Sequence, residues 1–406
     1  MSRTTSIPGA FALDADDASR RAVRGFRYQV CVRCVMDTSD PDITFDSAGV
    51  CHHCTGYLAE EPTLPRNRPD AKERLAALAA RVRRAGEGRR YDCVIGVSGG
   101  LDSSYVAHLV KRNLGLRPLA VHVDNGWNSE LAVSNIERLT AELEIDLLTT
   151  VLDWNEFRSL QLAFLRASTP DAEIPTDHAI TTCLYRAAAK EGLHDILSGN
   201  NFSTERIAVP AWSQGHSDWR YIKAVNARFG MRPLKTFPHR SALGEFNYRF
   251  LRRVRNVRIL DYVPFDKAQA QALIERSFGW RDPGDKHYES LYTKFFQGYL
   301  LPCKFGFDKR RMHLSNLVCA GLITRDAALA TLQRPAIDDD AVPELKAFVT
   351  KKMGLDDGEM DAILAQPPKR FKDFPSYQNS RAYHLMRALY RTVFEPVILE
   401  DRRAGR

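Results

Sequence analysis

Val94-Ile95-Gly96-Val97-Ser98-Gly99-Gly100-Leu101-Asp102-Ser103-Ser104 decides the fold. A short apolar strand runs into a Gly-Gly turn and then into an amphipathic helix predicted over 105–113. That order aims backbone N–H groups and a helix N-terminus at one point, which is how a chain holds phosphate. No lysine stands where a G-x-x-x-x-G-K-[ST] loop needs one, so the kinase and GTPase loop is excluded. A second buried strand is predicted at 119–123, with a third strand at 147–152 and a fourth at 196–199, and Ser129 caps a helix that turns Leu131, Ile136, Leu139 and Leu143 inward. Strands alternating with helices predict an α/β fold, a parallel sheet covered on both faces. Ligands of such sheets sit at the carboxyl ends of the strands, where the Ser-Gly-Gly loop, Asp124 and Gly199 all fall.

Upstream stand two knuckles, Cys31-Val32-Arg33-Cys34 and Cys51-His52-His53-Cys54, sixteen residues apart. This spacing fits a tetrahedral four-cysteine zinc site, with a small hairpin expected over 43–49 between the knuckles. A closed set of four thiolates makes the metal structural; iron–sulfur ligation is the less well matched alternative. His52 or His53 could replace a thiolate, but both are expected to be exposed. Asp37, Asp40, Asp42 and Asp46 lack the glycine of a calcium loop. Pro62, Pro65 and Pro69 mark a linker, and Asp70 caps a helix lined by Leu75, Leu78, Ala79 and Val82.

From about Leu260 helices dominate, predicted at 266–278, 288–300, 309–320, 324–332, 342–353 and 383–393. The expected division is an arm 1–27, a zinc ribbon 28–60, a linker helix 61–90, a nucleotide domain 91–260 and a helical C-terminal domain 261–406. A chain of 406 residues exceeds one ordinary core, so several units are expected. No stretch reaches the ~20 apolar residues of a membrane span. Met1-Ser2-Arg3-Thr4-Thr5-Ser6 lacks an apolar leader core, so the expected location is cytoplasmic, with no membrane partner. Eight cysteines in that compartment point to metal or free thiols. The net charge of +8 suits either nucleic acid or an anionic nucleotide substrate. No RNA-binding motif accompanies it, so nucleic acid is not the expected partner.

Ser98-Gly99-Gly100-Leu101-Asp102-Ser103 resembles the pyrophosphate-binding loop (PP-loop) of the N-type ATP pyrophosphatases, enzymes that adenylate an oxygen and release pyrophosphate. The resemblance implies an adenine nucleotide alpha hydrolase-like domain. Ser98, Gly99, Gly100, Ser103 and Ser104 would cradle the ATP phosphates, while Asp102 orients the loop or helps hold magnesium. Asp124 either bonds the nucleotide or caps a turn. Leu197-Ser198-Gly199-Asn200-Asn201-Phe202-Ser203-Thr204-Glu205 resembles the Gly-x-Asn-x-x-Glu segment of ammonia-dependent NAD synthetases. By that likeness Gly199 and Asn200 approach the nucleotide and Glu205 holds Mg2+, an oxygen ligand on a hard cation. A basic group should balance the departing pyrophosphate: Lys304, Lys309, Arg310 and Arg311 are the candidates, the glycine bend favouring the two lysines while Arg310 and Arg311 read equally as a solvated charge run. Two aromatic stretches, 212–221 and 279–290, are candidates for substrate surface or for domain contacts. His178, His216, His239 and His287 are candidate proton carriers, and Cys183 reads as core.

From about Tyr28 to Leu332 the chain resembles the N-acetyl sugar amidotransferases of the WbpG and PseA type. Cys31-Val32-Arg33-Cys34-Val35-Met36-Asp37-Thr38, Ile43-Thr44-Phe45-Asp46, Gly49-Val50-Cys51 and the loop carry the first half of the match. Gly279-Trp280-Arg281-Asp282, Lys286-His287-Tyr288-Glu289-Ser290, Phe296-Gln297-Gly298-Tyr299 and Lys304-Phe305-Gly306-Phe307-Asp308-Lys309-Arg310-Arg311 carry the second. The family implies that ATP adenylates the acetamido oxygen of a nucleotide-activated N-acetyl sugar. Ammonia then displaces AMP, giving an acetamidino sugar for O-antigen-type polysaccharide. The ammonia would come from a separate glutaminase resembling the subunits of imidazole glycerol phosphate synthase. The rival expectations are a tRNA thiolase with a zinc ribbon and a non-catalytic ATP-binding scaffold. The remaining Cys93, Cys183, Cys303 and Cys319 form no C-x-x-C pair, which counts against the thiolase.

Overall fold

The structure is a computed structural model that describes residues 28–282, 289–380 and 383–385. The expected arm, His287 and most of the expected helix 383–393 lie outside the described residues. Five parallel strands form one sheet: β1 Cys93–Gly96, β2 Pro118–Asp124, β3 Leu147–Val151, β4 Asp195–Ser198 and β5 Arg255–Arg258, in the order β3-β2-β1-β4-β5. Ile95 of β1 is paired with Ala120 on one side and with Leu197 on the other. The chain winds from β1 out to β3, then crosses to β4 on the opposite flank. The strand order therefore reverses between β1 and β4, which opens a crevice beyond their carboxyl ends.

Helices α1 His52–Glu60 and α2 Ala71–Ala85 precede the sheet, and α3 Leu101–His108, α4 Glu130–Glu142, α5 Trp154–Ala167 and α6 Ile174–Lys190 cover it. Then follow α7 Trp219–Phe229, α8 Lys267–Phe278, α9 Leu291–Phe295, α10 Arg310–Cys319, α11 Arg325–Gln333, α12 Val342–Met353 and α13 Asp357–Ala365. Alternation along β1 sorts the core. Cys93 and Ile95 pack with Val106, Ile136, Leu139, Ile274 and Trp280, whereas Val94 joins the face that holds Phe164, Tyr292, Phe295 and the four ribbon cysteines. Among the described residues no helix is long and apolar enough to cross a membrane.

Three local features depart from the expectations. The fifth strand is not among those predicted, because Arg-Asn-Val-Arg offers one apolar residue. Its Arg255 and the helix residue Arg81 both pair with Asp195, which is fully buried. Between the knuckles the expected hairpin reduces to a single antiparallel bridge, Phe45 with Cys51, while Val30 bridges Asp37 across the first knuckle. The helix expected over 288–300 starts at Leu291 and continues as a π-helical run, Phe296–Phe305, ending on Gly306 at φ +70°.

Candidate active site

The Ser-Gly-Gly loop is held from three sides. Within it, Ser103 Oγ accepts from Ser98 N at 3.2 Å and donates to the Gly100 carbonyl at 3.0 Å. From α4, Asn135 Nδ2 donates to the Gly99 carbonyl at 3.2 Å; from the segment after α8, the indole of buried Trp280 donates to the same oxygen at 2.9 Å. Asn135 also clasps Arg281, accepting from its N–H and donating to its carbonyl. Gly99 has φ +83°, and a Cβ there would meet the carbonyl oxygen of Ala132 at 2.5 Å, so only glycine lets the loop lie on α4. No side chain caps the N-terminus of α3. Ser104 is buried with its hydroxyl engaged by the Gly100 carbonyl at 2.9 Å, which places it beneath the cradle rather than in it.

Across the crevice, the single turn Phe202–Glu205 follows β4 and is capped by Asn201, which accepts from Thr204 N. Asn200 Nδ2 donates to Glu205 at 2.7 Å, and Asn201 Nδ2 reaches Asp102 at 3.5 Å. Two adjacent asparagines thus hold the two carboxylates proposed for magnesium. A Cβ on Gly199 would lie 3.3–3.4 Å from the backbone of Asp102 and Ser103. The tight neighbour of Gly199 is the loop itself. Asp124 accepts from Gly126 N at 2.8 Å, the turn-capping alternative. Beside it Lys352, far along α12 and absent from the sequence reading, donates to the Gly126 carbonyl. Its ammonium lies 4.9 Å from the Trp127 ring centroid. Burial lowers its pKa, with Asp124 opposing.

The C-terminal half begins on the loop. Ser98 Oγ donates to Glu289 at 3.3 Å, and the backbone of Glu289 and Leu291 bonds to Ser129 and Trp127. The two lysines expected at the pyrophosphate have partners away from the loop. Lys304 donates to the carbonyl of Ile363 in α13; burial, then the charge of Lys369, lowers its pKa to about 8. It flanks a cavity of about 440 Å³ lined by Arg166, Phe229, Ile363 and Lys369, among others. Lys309 instead lies 3.5 Å from Glu173, buried beside Asp171. Among the described residues, neither lysine has a hydrogen bond or ion pair to the loop.

The aromatics of 212–221 are packed, as is Trp280 of the second stretch, whose residues 283–288 lie outside the described residues. Trp212 stacks on Phe307 at 4.4 Å, and Trp219 lies between His178 and His239. His178 donates from Nδ1 to the His216 carbonyl and accepts at Nε2 from Arg240 N; burial lowers its pKa to about 4, so it is a neutral structural imidazole. Cys183 is buried, and burial raises its thiol, in keeping with core.

The four knuckle cysteines are fully buried, with Sγ separations of 3.8 Å (Cys31–Cys54) and 3.7 Å (Cys34–Cys51, Cys51–Cys54). Thiolates placed tetrahedrally about an ion at ~2.3 Å stand about 3.8 Å apart, so this set fits a single metal ion. A cluster that gave each thiolate its own iron would need them farther apart. Backbone N–H groups of Arg33 and Cys51 point at Cys31 Sγ, at 3.4 and 3.2 Å. A fifth thiol, Cys319 at the end of α10, lies 3.6 Å from Cys54 Sγ. Its sequence distance of 265 residues gave no spacing signal. His52 is exposed as expected, but His53 is not: it is 7% exposed and bonded to buried Asp40 at 2.7 Å.

Comparison with known proteins sets these parts in context. Residues 289–390 match the family model described as LPS biosynthesis protein WbpG-like, C-terminal domain. The uncharacterized protein MJ1599 of Methanocaldococcus jannaschii is 21% identical over 324 residues, covering 78% of this chain and 97% of that protein. An NH3-dependent NAD synthetase from Campylobacter jejuni shares 16% identity over 74% of this chain and 98% of its own, with a TM-score of 0.29. The U34-tRNA thiolase NcsA from Methanococcus maripaludis shares 14% over 75% and 89%, with a TM-score of 0.30. Structural scores this low carry no functional argument. The segment whose first residue bonds to the Ser-Gly-Gly loop is the one that the WbpG-like C-terminal model matches.

Proposed function

We propose that this protein is an ATP-dependent, AMP-forming amidotransferase acting on a nucleotide-activated N-acetyl sugar for surface polysaccharide. One observation carries the reading: Glu289, where the WbpG-like segment starts, lies on Ser98 of a loop shaped for phosphate. That contact supports a reading in which the WbpG-like segment handles the acceptor beside the nucleotide cradle.

In this reading Ser98, Gly99, Gly100 and Ser103 receive the ATP phosphates through N–H and hydroxyl groups. Asp102 and Glu205 would hold Mg2+, which would supply charge neutralisation for the departing pyrophosphate. The acetamido oxygen attacks the α-phosphorus and pyrophosphate leaves. Ammonia adds to the imidate carbon, and AMP departs with that oxygen, leaving the acetamidino group. A free amide is a poor electrophile, and adenylation provides its leaving group. The reactive carbon must be kept from water, a task for the elements that close the crevice, Glu289–Phe295 and α12. Ammonia comes from a separate glutaminase partner. The four cysteines hold Zn2+ as a structural ion.

A thiolase would need a reactive thiolate at the loop. Burial instead raises Cys93 and Cys183, and Cys319 lies against Cys54. The test is purified protein with ATP, Mg2+, 15N-ammonium and a panel of UDP-N-acetyl sugars. Acceptor-dependent AMP and a 15N-labelled sugar are expected. A panel that yields neither, with protein that binds ATP, ends the amidotransferase reading.

A further inference from the structure

The cavity of about 440 Å³ beside Lys304 takes no part in the steps above. It lies where the C-terminal ends of α5, α7 and α13 meet, bordered by Arg166, Phe229, Ile363, Pro367 and Lys369 among others. Helix α5 starts at the crevice, where a Cβ on Gly126 would meet the Trp154 ring at 2.8 Å, and Arg166 stands twelve residues further along it. At 1.5 Å per residue that is about 18 Å, which sets the cavity apart from the nucleotide cradle. Ser168 closes α5 in the left-handed conformation, with φ +56°, an unfavourable backbone for a serine. Its hydroxyl donates to the Pro367 carbonyl at 2.9 Å, and its own carbonyl accepts from Lys369 N at 2.8 Å. A strained residue thus fastens the Lys369 wall of the cavity to the Arg166 wall.

Cations gather there with little to balance them. The Lys369 ammonium lies 5.2 Å from the Phe229 ring centroid, and Lys304 donates to the carbonyl of Ile363, which lines the cavity. Among the described residues, neither Arg166 nor Lys369 has a carboxylate partner. The acid on the wall, Glu359, accepts from Asp356 N at 3.0 Å in the capping box of α13. Burial, then the charge of Lys369, holds Lys304 down at about 8, a repulsion that a bound anion relieves. We propose that this cavity binds a nucleoside diphosphate at a site separate from the ATP cradle, with Arg166, Lys304 and Lys369 on the phosphates and Phe229, Ile363 and Pro367 against the nucleoside. Charge and size select that class. Three cations against one carboxylate leave two positive charges in excess, which a diphosphate matches and a neutral or cationic ligand does not. The volume is in the range that encloses a whole small-molecule ligand, and inorganic phosphate alone would leave the apolar wall uncovered. Lys304 stands in the π-helical run that continues α9, so a single stretch of chain joins this site to Glu289 on the loop. The site does not depend on the amidotransferase reading.

The experiment is a calorimetric titration of UDP into the full chain, its cradle already saturated with the magnesium complex of a non-hydrolysable ATP analogue. One further site is expected, weakened about tenfold by Arg166→Gln and by Lys369→Gln, each removing one charged donor. Both side chains are partly exposed, so the variants keep the fold, as circular dichroism can check. Their affinity for the ATP analogue should match wild type, because the cradle lies at the other end of α5. Pyrophosphate and uridine, titrated in turn, should each bind more weakly than UDP. No UDP binding to the saturated chain, or equal UDP affinity in wild type and the Arg166→Gln/Lys369→Gln double variant, overturns the proposal. Pyrophosphate binding as tight as that of UDP also overturns it, since the apolar wall would then have no ligand. A chain that binds UDP here yet forms no AMP with any acceptor keeps the site and loses the amidotransferase.

Discussion

At Gly99 a single hydrogen atom decides whether the loop can form. The backbone is left-handed there, and any Cβ would overlap the main chain of α4. Gly99→Ala should therefore cost roughly 2 kcal/mol or more and displace the cradle. Urea denaturation and ATP titration together check this; an alanine variant with wild-type stability and affinity refutes the packing argument. Trp280→Phe is the milder probe. It removes one of two donors to the Gly99 carbonyl and should cost about 1 kcal/mol, with weaker ATP binding and the fold intact. Gly99 could be read from sequence because a Gly-Gly pair between strand and helix has few uses. Trp280 could not, since nothing in a sequence reports that an indole 181 residues downstream will reach that carbonyl. The Asp171–His216 pair adds a pH signature. Burial alone would raise Asp171, but the charge of His216 and its hydrogen bond bring it down to about 2. Its stabilisation is present above about pH 4 and lost as pH falls toward 2. For His216, burial is outweighed by Asp171 and Asp177, which hold it well above its ordinary range. Its share is complete below about pH 6.5 and lost only as pH rises through that raised value. Asp171→Asn should flatten the acid limb of a melting-temperature profile between pH 4 and 2; an unchanged limb means the pair is not formed.

Among the elements, the cysteine ribbon and α10 explain each other. Buried Arg311 bonds Asp37 at 3.0 Å and the Val35 carbonyl at 2.8 Å, Ser315 accepts from Val35 N, and Arg325 donates to the carbonyls of Cys31 and Cys34. A run that reads as solvated charge is thus a clamp on a metal knuckle, visible only once the two ends of the chain meet. The knuckles themselves are local, so spacing alone revealed them. The same contrast explains the lysines. Position beside a glycine bend suggested pyrophosphate contacts for Lys304 and Lys309; Lys304, inside the π-helical run, bonds the Ile363 carbonyl of α13, and Lys309, beyond that run, lies against Glu173. It also explains β5, whose identity comes from pairing with β4 rather than from apolar content. For the metal, Cys54→Ser should release Zn2+, whereas Cys319→Ser should retain it, as metal analysis of the purified variants can show. Loss of the ion from Cys319→Ser would make the fifth thiol a ligand.

Across the whole molecule, one path joins the ribbon to the nucleotide crevice. The knuckle carbonyls rest on α10 and α11, and α10 carries Asn316. Its side chain accepts from Ile207 N at 2.7 Å and donates to the Ile207 carbonyl at 3.1 Å. Ile207 is two residues beyond Glu205, whose carboxylate Asn200 holds. Around this path the ribbon cysteines, Tyr57, Phe202 and the C-terminal aromatics belong to one apolar cluster, with Tyr57 and Phe202 rings 4.5 Å apart. A metal held by the four cysteines would therefore be coupled to the loop proposed to hold magnesium, far from its own site. Removing the ion leaves four thiols without their common partner beneath α10, and the strain has a short, fully packed route to Glu205. Chelation should lower the thermal transition by several degrees and weaken MgATP binding severalfold, both restored by equimolar Zn2+. Asn316→Ala separates this from simple unfolding. It should leave the metal bound while weakening MgATP, because it cuts the path after the ribbon and before the carboxylate. Calorimetry and nucleotide titration on zinc-loaded Asn316→Ala decide the matter: unchanged MgATP affinity would make the ribbon a stabilising cap with no hold on the site.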